Sequence, residues 1–221
     1  MSRYELVVFD WDGTLMDSTG GIVRAIQAAS QDLGLDVPTD LQAAWVIGLS
    51  LEKALAHLVP NLSERDRNRY LERYRYHYLT KDAELKLFDG VIPMLDALAQ
   101  QNVMLAVATG KSRVGLERAL EGSGIGSYFA VTRCADETHG KPHPRMLLEI
   151  MEDLATGPDK VLMIGDTSHD LSMAANAGVH GLGVTYGAHP EDELRAHPNQ
   201  GILSSVPDVH QWLTPRTRGI I

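Results

Sequence analysis

The sequence predicts an α/β fold: a central parallel sheet flanked by helices, with a small all-helical unit inserted after the first strand. Three observations predict it. Short continuous apolar runs stop abruptly at polar loops, as fully buried strands do. From about residue 89 onward these runs alternate with helical patterns, whereas between residues 16 and 88 the runs disappear and helix start signals follow one another. Strands alternating with helices imply right-handed βαβ crossovers and therefore parallel pairing. The expected division is an α/β core of residues 1–15 and 89–221 and a helical cap of residues 16–88.

The first strand, Leu6-Val7-Val8-Phe9, ends in Asp10-Trp11-Asp12-Gly13. Within the insert, Ile22, Ile26, Ala29 and Leu33 share one helix face, and Thr39 with Gln42 has the spacing of a capping box. Ser50 is placed to cap a helix over residues 51–59, and Ser63 a longer one through Tyr78. The core resumes with a helix over 91–101 entered through Pro93, and a strand over 103–108 that runs into Thr109-Gly110-Lys111. Ser112 caps a helix to residue 121, a strand over 129–134 leads to Ala135-Asp136, and a helix over 145–154 follows Pro142 and Pro144. A strand over 161–164 meets Gly165-Asp166, and residues 181–185 form a weaker fifth.

Composition narrows the function. With 44% hydrophobic and 22% charged residues, the 221-residue chain has the make-up of a packed globular protein. Its formal net charge of -9 repels nucleic acid and anionic membrane, so any anion site needs its own metal or lysine. The single cysteine, Cys134, excludes an intramolecular disulfide and fits a reducing compartment, so a cytoplasmic location is expected. Cys134 ends an apolar run and reads as an inert core thiol. Residues 1–8 carry no leader pattern, and no stretch reaches membrane-spanning length. Arg65, Arg67, Arg69, Arg73 and Arg75 interleave with Tyr70, Tyr74, Tyr76 and Tyr78. This pattern reads as a helix with tyrosines packed inward at spacing four and arginines solvated, so no nucleic-acid partner is expected. A monomer or homodimer is expected.

In open parallel sheets ligands bind beyond the carboxyl ends of the strands. Those ends carry Asp10, Asp12, Thr109 and Asp166. Asp10-x-Asp12-Gly13-Thr14 sets two carboxylates just after a buried strand, with a glycine for a tight turn. Gly165-Asp166-x-x-x-Asp170 alone suits a helix N-terminus carrying acids for the dipole equally well. Together with Asp10 and Asp12, however, Asp166 and Asp170 make an oxygen-rich site that suits Mg2+. Thr109 and Gly110 offer a hydroxyl and free N–H groups to an anion, and Lys141, in Gly140-Lys141-Pro142-His143-Pro144, has its chain restricted by prolines. Taken singly, these last two read as an ordinary turn and a solvated lysine. His139, His143 and His169 lie near these positions, but Mg2+ prefers oxygen and their spacing does not suit zinc, so they read as bystanders.

In their order, Asp10-Trp11-Asp12-Gly13-Thr14-Leu15, Thr109-Gly110, Lys141-Pro142 and Gly165-Asp166-Thr167-Ser168-His169-Asp170 resemble the four motifs of the haloacid dehalogenase-like hydrolase superfamily. Asp17-Ser18 and the helical insert resemble the branch containing phosphoglycolate phosphatase. The resemblance implies a Rossmann-like core and a Mg2+-dependent phosphatase that hydrolyses a small phosphorylated metabolite through an aspartyl phosphate. It implies Asp10 as nucleophile and Asp12 as acid, then base. Mg2+ would be held by Asp10, the Asp12 backbone carbonyl and Asp166, with Asp170 as an outer ligand that orients Lys141. Thr109, Gly110 and Lys141 would bind the phosphoryl oxygens.

Asp12 separates the chain from the dehalogenases and phosphonatases of that superfamily, which lack it. Lys53 does not sit at the phosphonatase spacing from Gly48 and reads as a helix surface residue. Gly48-Leu49-Ser50-Leu51 loosely resembles the substrate loop of β-phosphoglucomutase-like enzymes, so a mutase is the alternative, and a plain turn with an N-cap is the simpler reading of that segment. A phospho-acceptor signalling module is a third reading, opposed by the motif order and by Asp12. Phosphoglycolate or a sugar phosphate is the expected substrate on resemblance alone.

Overall fold

The first strand is the centre of the sheet. The computed structural model describes residues 4–80 and 86–217; the parts of the expected core and cap at 1–3, 81–85 and 218–221 lie outside the described residues. All four residues of β1 (Leu6–Phe9) are buried, and the strand pairs in parallel on both sides. Its partners are β4 (Met104–Thr109) and β6 (Val161–Gly165). Beyond β4 lies β5 (Val131–Cys134), and beyond β6 lie β7 (His180–Val184) and β8 (Ile202–Leu203), giving a parallel six-stranded order β5-β4-β1-β6-β7-β8.

Strand periodicity sorts the core into two layers. Val7 and Phe9 face Leu95, Leu98, Leu116 and Val209, which come from α5 (Val91–Gln100), α6 (Arg113–Ser123) and α10 (Val206–Leu213). Leu6 and Val8 face Met146, Ile150, Met173 and Ala174, from α7 (Arg145–Asp153) and α8 (Ser168–Ala177). Burying one leucine-sized side chain contributes ~1.5–3 kcal/mol, so covering both faces is what fixes β1, and with it the loop that follows.

The insert leaves the core through β2 (Met16–Asp17) and returns through β3 (Lys86–Leu87), which pair antiparallel. Between them run α1 (Thr19–Asp32), α2 (Asp40–Trp45), α3 (Leu51–Leu58) and α4 (Glu64–Leu79). Thr39 and Gln42 form a reciprocal capping box, and the hydroxyls of Ser50 and Ser63 accept the N–H groups of Lys53 and Asp66 at 3.3 and 3.2 Å. Ile22, Ala25 and Ile26 of α1 pack with Val46, Ala54 and Tyr78, while Ala29 packs with Leu55 and Tyr70. Tyr70 and Tyr78 are turned inward and Arg73 pairs with Asp32 at 2.6 Å, so α4 presents its arginines outward as its spacing predicts.

Several elements differ from the expected ones. No strand was expected inside the insert; β2 and β3 are two residues each, too short to leave a periodicity. The strand expected over 129–134 begins at Val131 because residues 126–128 close a 3-10 turn, and β7 begins one residue before the expected 181. The short helix α9 (Glu191–Arg195), β8 and α10 extend the core beyond the elements expected. Cys134 is buried, and burial pushes its thiol up to about 12, in keeping with an inert thiol. Among the described residues no helix is long and apolar enough to cross a membrane.

Candidate active site

Asp10 follows β1 directly, and its N–H continues the ladder to Ile164 O at 2.9 Å. Its carboxylate Oδ1 accepts the Trp11 N–H at 2.6 Å, and Trp11 is itself fully buried, so the side chain is held from both ends. Gly13 then turns the chain at φ +81, and a Cβ there would fall 2.1 Å from Asp166 Oδ2. Glycine is required at this position both for the left-handed backbone and for the close approach. Thr14 Oγ1 donates to Asp166 Oδ1 at 2.7 Å, and the Ala188 N–H donates to Asp166 Oδ2 at 2.8 Å.

Asp170 stands in the first turn of α8, locked by a capping box. Its Oδ2 accepts the Thr167 N–H at 3.1 Å and the Thr167 hydroxyl at 2.6 Å, which leaves Oδ1 for another partner. That partner is Lys141. Its fully buried ammonium lies 2.6 Å from Asp170 Oδ1 and 2.7 Å from Asp10 Oδ1.

Asp10, Asp166 and Asp170 each offer an oxygen within 4.8 Å of the others. Burial raises Asp10 well above the usual carboxylate range, against the opposing pull of Lys141, and burial followed by the charge of Asp170 carries Asp166 up to about 7. Burial would lower Lys141, but the charges of Asp10 and Asp170 outweigh it and hold the lysine protonated. Three buried carboxylates share one ammonium, so each one ionised beyond the first adds negative charge that this lysine does not balance. Asp10 Oδ2 is buried without a partner. An oxygen donor set, excess negative charge and an orphaned carboxylate oxygen fit a small divalent cation such as Mg2+.

The carboxylate of Asp12 points elsewhere. It accepts Ser18 Oγ at 2.7 Å and lies 3.0 Å from Lys111 Nζ, which also donates to the Tyr78 hydroxyl at 3.0 Å. Thr109 Oγ1 accepts the Lys111 N–H at 3.2 Å. Asp10, Asp12, Thr109 and Gly110 line a cavity of about 870 Å3 that continues between the insert helices past Ile26, Leu55 and Tyr74. The predicted site residues thus fall in two groups: Asp10, Asp166, Asp170 and Lys141 converge on one point, and Asp12, Thr109 and Gly110 join Asp10 at the cavity floor. Sequence reasoning missed Thr14, Ser18, Lys111 and Thr167. Thr14, Ser18 and Thr167 lie inside the quoted motif segments, and Lys111 follows Gly110, so each was within reach.

The insert touches this floor closely. A Cβ on Gly110 would lie 2.5 Å from Leu49 O and 2.6 Å from Gly48 O. Lys53 is an exposed residue of α3, as expected, and its Nζ also donates to Gly140 O at 3.1 Å and to Lys141 O at 3.3 Å. His169 also meets the insert: His169 Nε2 and His189 Nε2 lie 2.9 and 3.0 Å from Trp45 O, both placed to donate to that one carbonyl. The Trp45 indole N–H in turn reaches Glu193 Oε1 at 3.0 Å.

Comparisons with known proteins identify the family. Residues 7–184 match the family model described as haloacid dehalogenase-like hydrolase. A protein of Dickeya dadantii named probable phosphatase IndB is 38% identical over 210 residues, covering 92% of this chain and 91% of that protein. A phosphoglycolate phosphatase of Agrobacterium fabrum is 32% identical over 188 residues, covering 82% and 81%. The crystal structure described as a predicted phosphatase from Clostridium acetobutylicum superposes with a TM-score of 0.85 at 27% identity, over 97% of this chain and 100% of that one. The chain belongs to the haloacid dehalogenase-like hydrolases, in their phosphoglycolate phosphatase-like branch, and is a phosphoric monoester hydrolase.

Proposed function

We propose that this phosphatase is Mg2+-dependent and works through an aspartyl phosphate on Asp10, with residues 16–88 acting as a cap domain over a core of 1–15 and 89–221. The observation that carries the reading is the convergence of Asp10, Asp166, Asp170 and Lys141 beside a cavity that opens onto Asp10 and Asp12. Mg2+ would be held by Asp10, Asp166 and the Asp12 backbone carbonyl, with Asp170 further out, and would supply positive charge against the phosphoryl oxygens.

The Asp10 carboxylate attacks phosphorus, and the bond to the leaving alcohol breaks as Asp12 gives that oxygen its proton. Water then loses a proton to the Asp12 carboxylate and attacks the same phosphorus, so that inorganic phosphate leaves and the carboxylate of Asp10 is restored. Lys141, Thr109 and the Gly110 N–H neutralise the phosphoryl oxygens while charge redistributes. Their contribution is greatest with water excluded, which a closing cap provides.

The substrate is a small phosphorylated metabolite. A cavity of about 870 Å3 is near the upper end of the ~300–1,000 Å3 usual for ligand pockets, so a leaving group of sugar size or larger fits it better than two-carbon glycolate does. The buried lone cysteine suits a cytoplasmic setting. The test is phosphate release from a panel running from phosphoglycolate through hexose phosphates to nucleoside monophosphates, with and without Mg2+. Absence of release from every member, or full activity in Asp10→Asn, would overturn the reading.

A further inference from the structure

Lys141 sits at the centre of the site, on a loop that the core holds through Asn176 Nδ2, which donates to Pro142 O at 2.9 Å, and through the two ion pairs of Lys141 itself. The segment after β5 bends at Gly140, His143 N–H reaches back to Gly140 O at 3.3 Å, and the helix α7 begins only at Arg145. The carbonyls of the two peptide units that flank the Lys141 Cα, Gly140 O and Lys141 O, also meet an ammonium from the insert. Lys53 Nζ donates to them at 3.1 and 3.3 Å.

Lys53 is placed for this by its own helix. Ser50 caps α3 and accepts the Lys53 N–H, which fixes the first turn and therefore the direction of the lysine stem. The two backbones also meet: a Cβ on Gly140 would lie 3.7 Å from Ser50 Cβ and 3.3 Å from Ala135 Cβ, so loop and cap touch where the ammonium bridges them. Hydrogen bonds with a charged partner are the stronger class. Here one such donor braces the two peptide units that flank the catalytic lysine, whose ammonium must hold station between Asp10 and Asp170.

We infer that Lys53 is a positioning residue for Lys141, a cap-borne ammonium that steadies the lysine loop when the cap lies on the core. The inference rests on the phosphatase reading above and adds to it a route by which cap position reaches the phosphoryl site. With the cap down, Gly140 and Lys141 are held and the lysine is aimed. With the cap lifted, Lys53 withdraws and the loop relaxes as product leaves.

The experiment compares Lys53→Met, which keeps the stem and removes the donors, with Lys53→Arg, which keeps donors and charge. Using p-nitrophenyl phosphate and Mg2+, Lys53→Met is expected to lower kcat about tenfold with KM changed less than about threefold, and Lys53→Arg to recover most of the loss. In the absence of substrate, amide hydrogen exchange in residues 137–143 is expected to quicken in Lys53→Met, with α1 and α4 unchanged. A wild-type kcat in Lys53→Met, a loss confined to KM, or unchanged exchange in the loop each overturns the inference. Inactivity of the wild-type protein itself would strike the phosphatase reading instead, and the exchange measurement would still decide the role of Lys53.

Discussion

Lys111 Nζ stands 3.0 Å from Asp12 Oδ1 and donates to the Tyr78 hydroxyl, also at 3.0 Å, so one ammonium joins the carboxylate at the cavity floor to helix α4. Burial would lower its pKa, but Asp12 together with Tyr78 and Tyr74 outweighs burial and keeps Lys111 protonated across the neutral range. Replacing Lys111 with Met removes both contacts while preserving the stem. A fall in kcat/KM of about tenfold is expected, with partial recovery in Lys111→Arg, whose fork does not reproduce a point charge. Steady-state phosphate release checks it, and a wild-type kcat/KM in the Met variant would remove Lys111 from the reaction.

Asp10→Asn separates chemistry from stability. The amide keeps an oxygen for the Trp11 N–H and for Lys141, and places its nitrogen where Asp10 Oδ2 now has no partner. Turnover is expected to fall by about a thousandfold or more, as for loss of a covalent nucleophile. The thermal midpoint of the metal-free protein is expected to rise by a few degrees, because one of three crowded buried charges is gone. A lower midpoint would show that carboxylate crowding does not strain the metal-free fold.

The pH dependence follows from Asp166. Its folded pKa of about 7 lies above the ordinary carboxylate value of 3.8, so between those values the folded metal-free protein binds the extra proton. The stability contributed by that proton is full below the lower value and is lost as pH rises to about 7. Mg2+ must displace the same proton. The rise in melting midpoint caused by Mg2+ is therefore expected to be small near about pH 5.5 and to grow to a plateau above about pH 8. Melts with and without Mg2+ isolate the cluster from other titrating groups, and a pH-independent increment would contradict the prediction.

Gly110→Ala tests how tightly insert and floor are fitted. The new methyl would meet the carbonyl oxygens of Leu49 and Gly48 at 2.5 and 2.6 Å, both backbone atoms that no rotamer change can move aside. The 48–49 loop must lift, at a cost of ~1–3 kcal/mol, and kcat/KM is expected to drop by about tenfold or more, since 1.36 kcal/mol is a factor of ten. Kinetics that match the wild type would mean that this contact opens freely during turnover.

The catalytic strands were legible because their chemistry is local. Leu6 to Phe9 and residues 161–164 are unbroken apolar runs, and each ends in an aspartate within one or two residues. The insert helices were legible through Thr39, Ser50 and Ser63, whose capping partners lie three residues away. What stayed hidden is nonlocal. Lys111 meets a carboxylate 99 positions earlier in the chain, Lys53 reaches carbonyls 87 and 88 positions later, and Trp45 O collects imidazoles from 124 and 144 positions away. Lys53 and His169 carry no local mark that distinguishes them from solvated neighbours, so their partners exist only once the insert lies on the sheet. The strands β2 and β3 escaped for the opposite reason, being too brief for any alternation to show.

Those two short strands have a consequence for how the molecule can be altered. Met16 stands opposite Leu87 and Asp17 opposite Lys86, so the outgoing and returning chains lie side by side at a single doorway in the core. Everything beyond that doorway is, for the sheet, one long excursion whose two ends already touch. A different excursion, longer, shorter or folded otherwise, can be set on the same threshold without disturbing the registers of β1, β4 and β6. What such a replacement would have to restore are the contacts made across the floor, Lys53 on Gly140 O and Lys141 O and Tyr78 on Lys111.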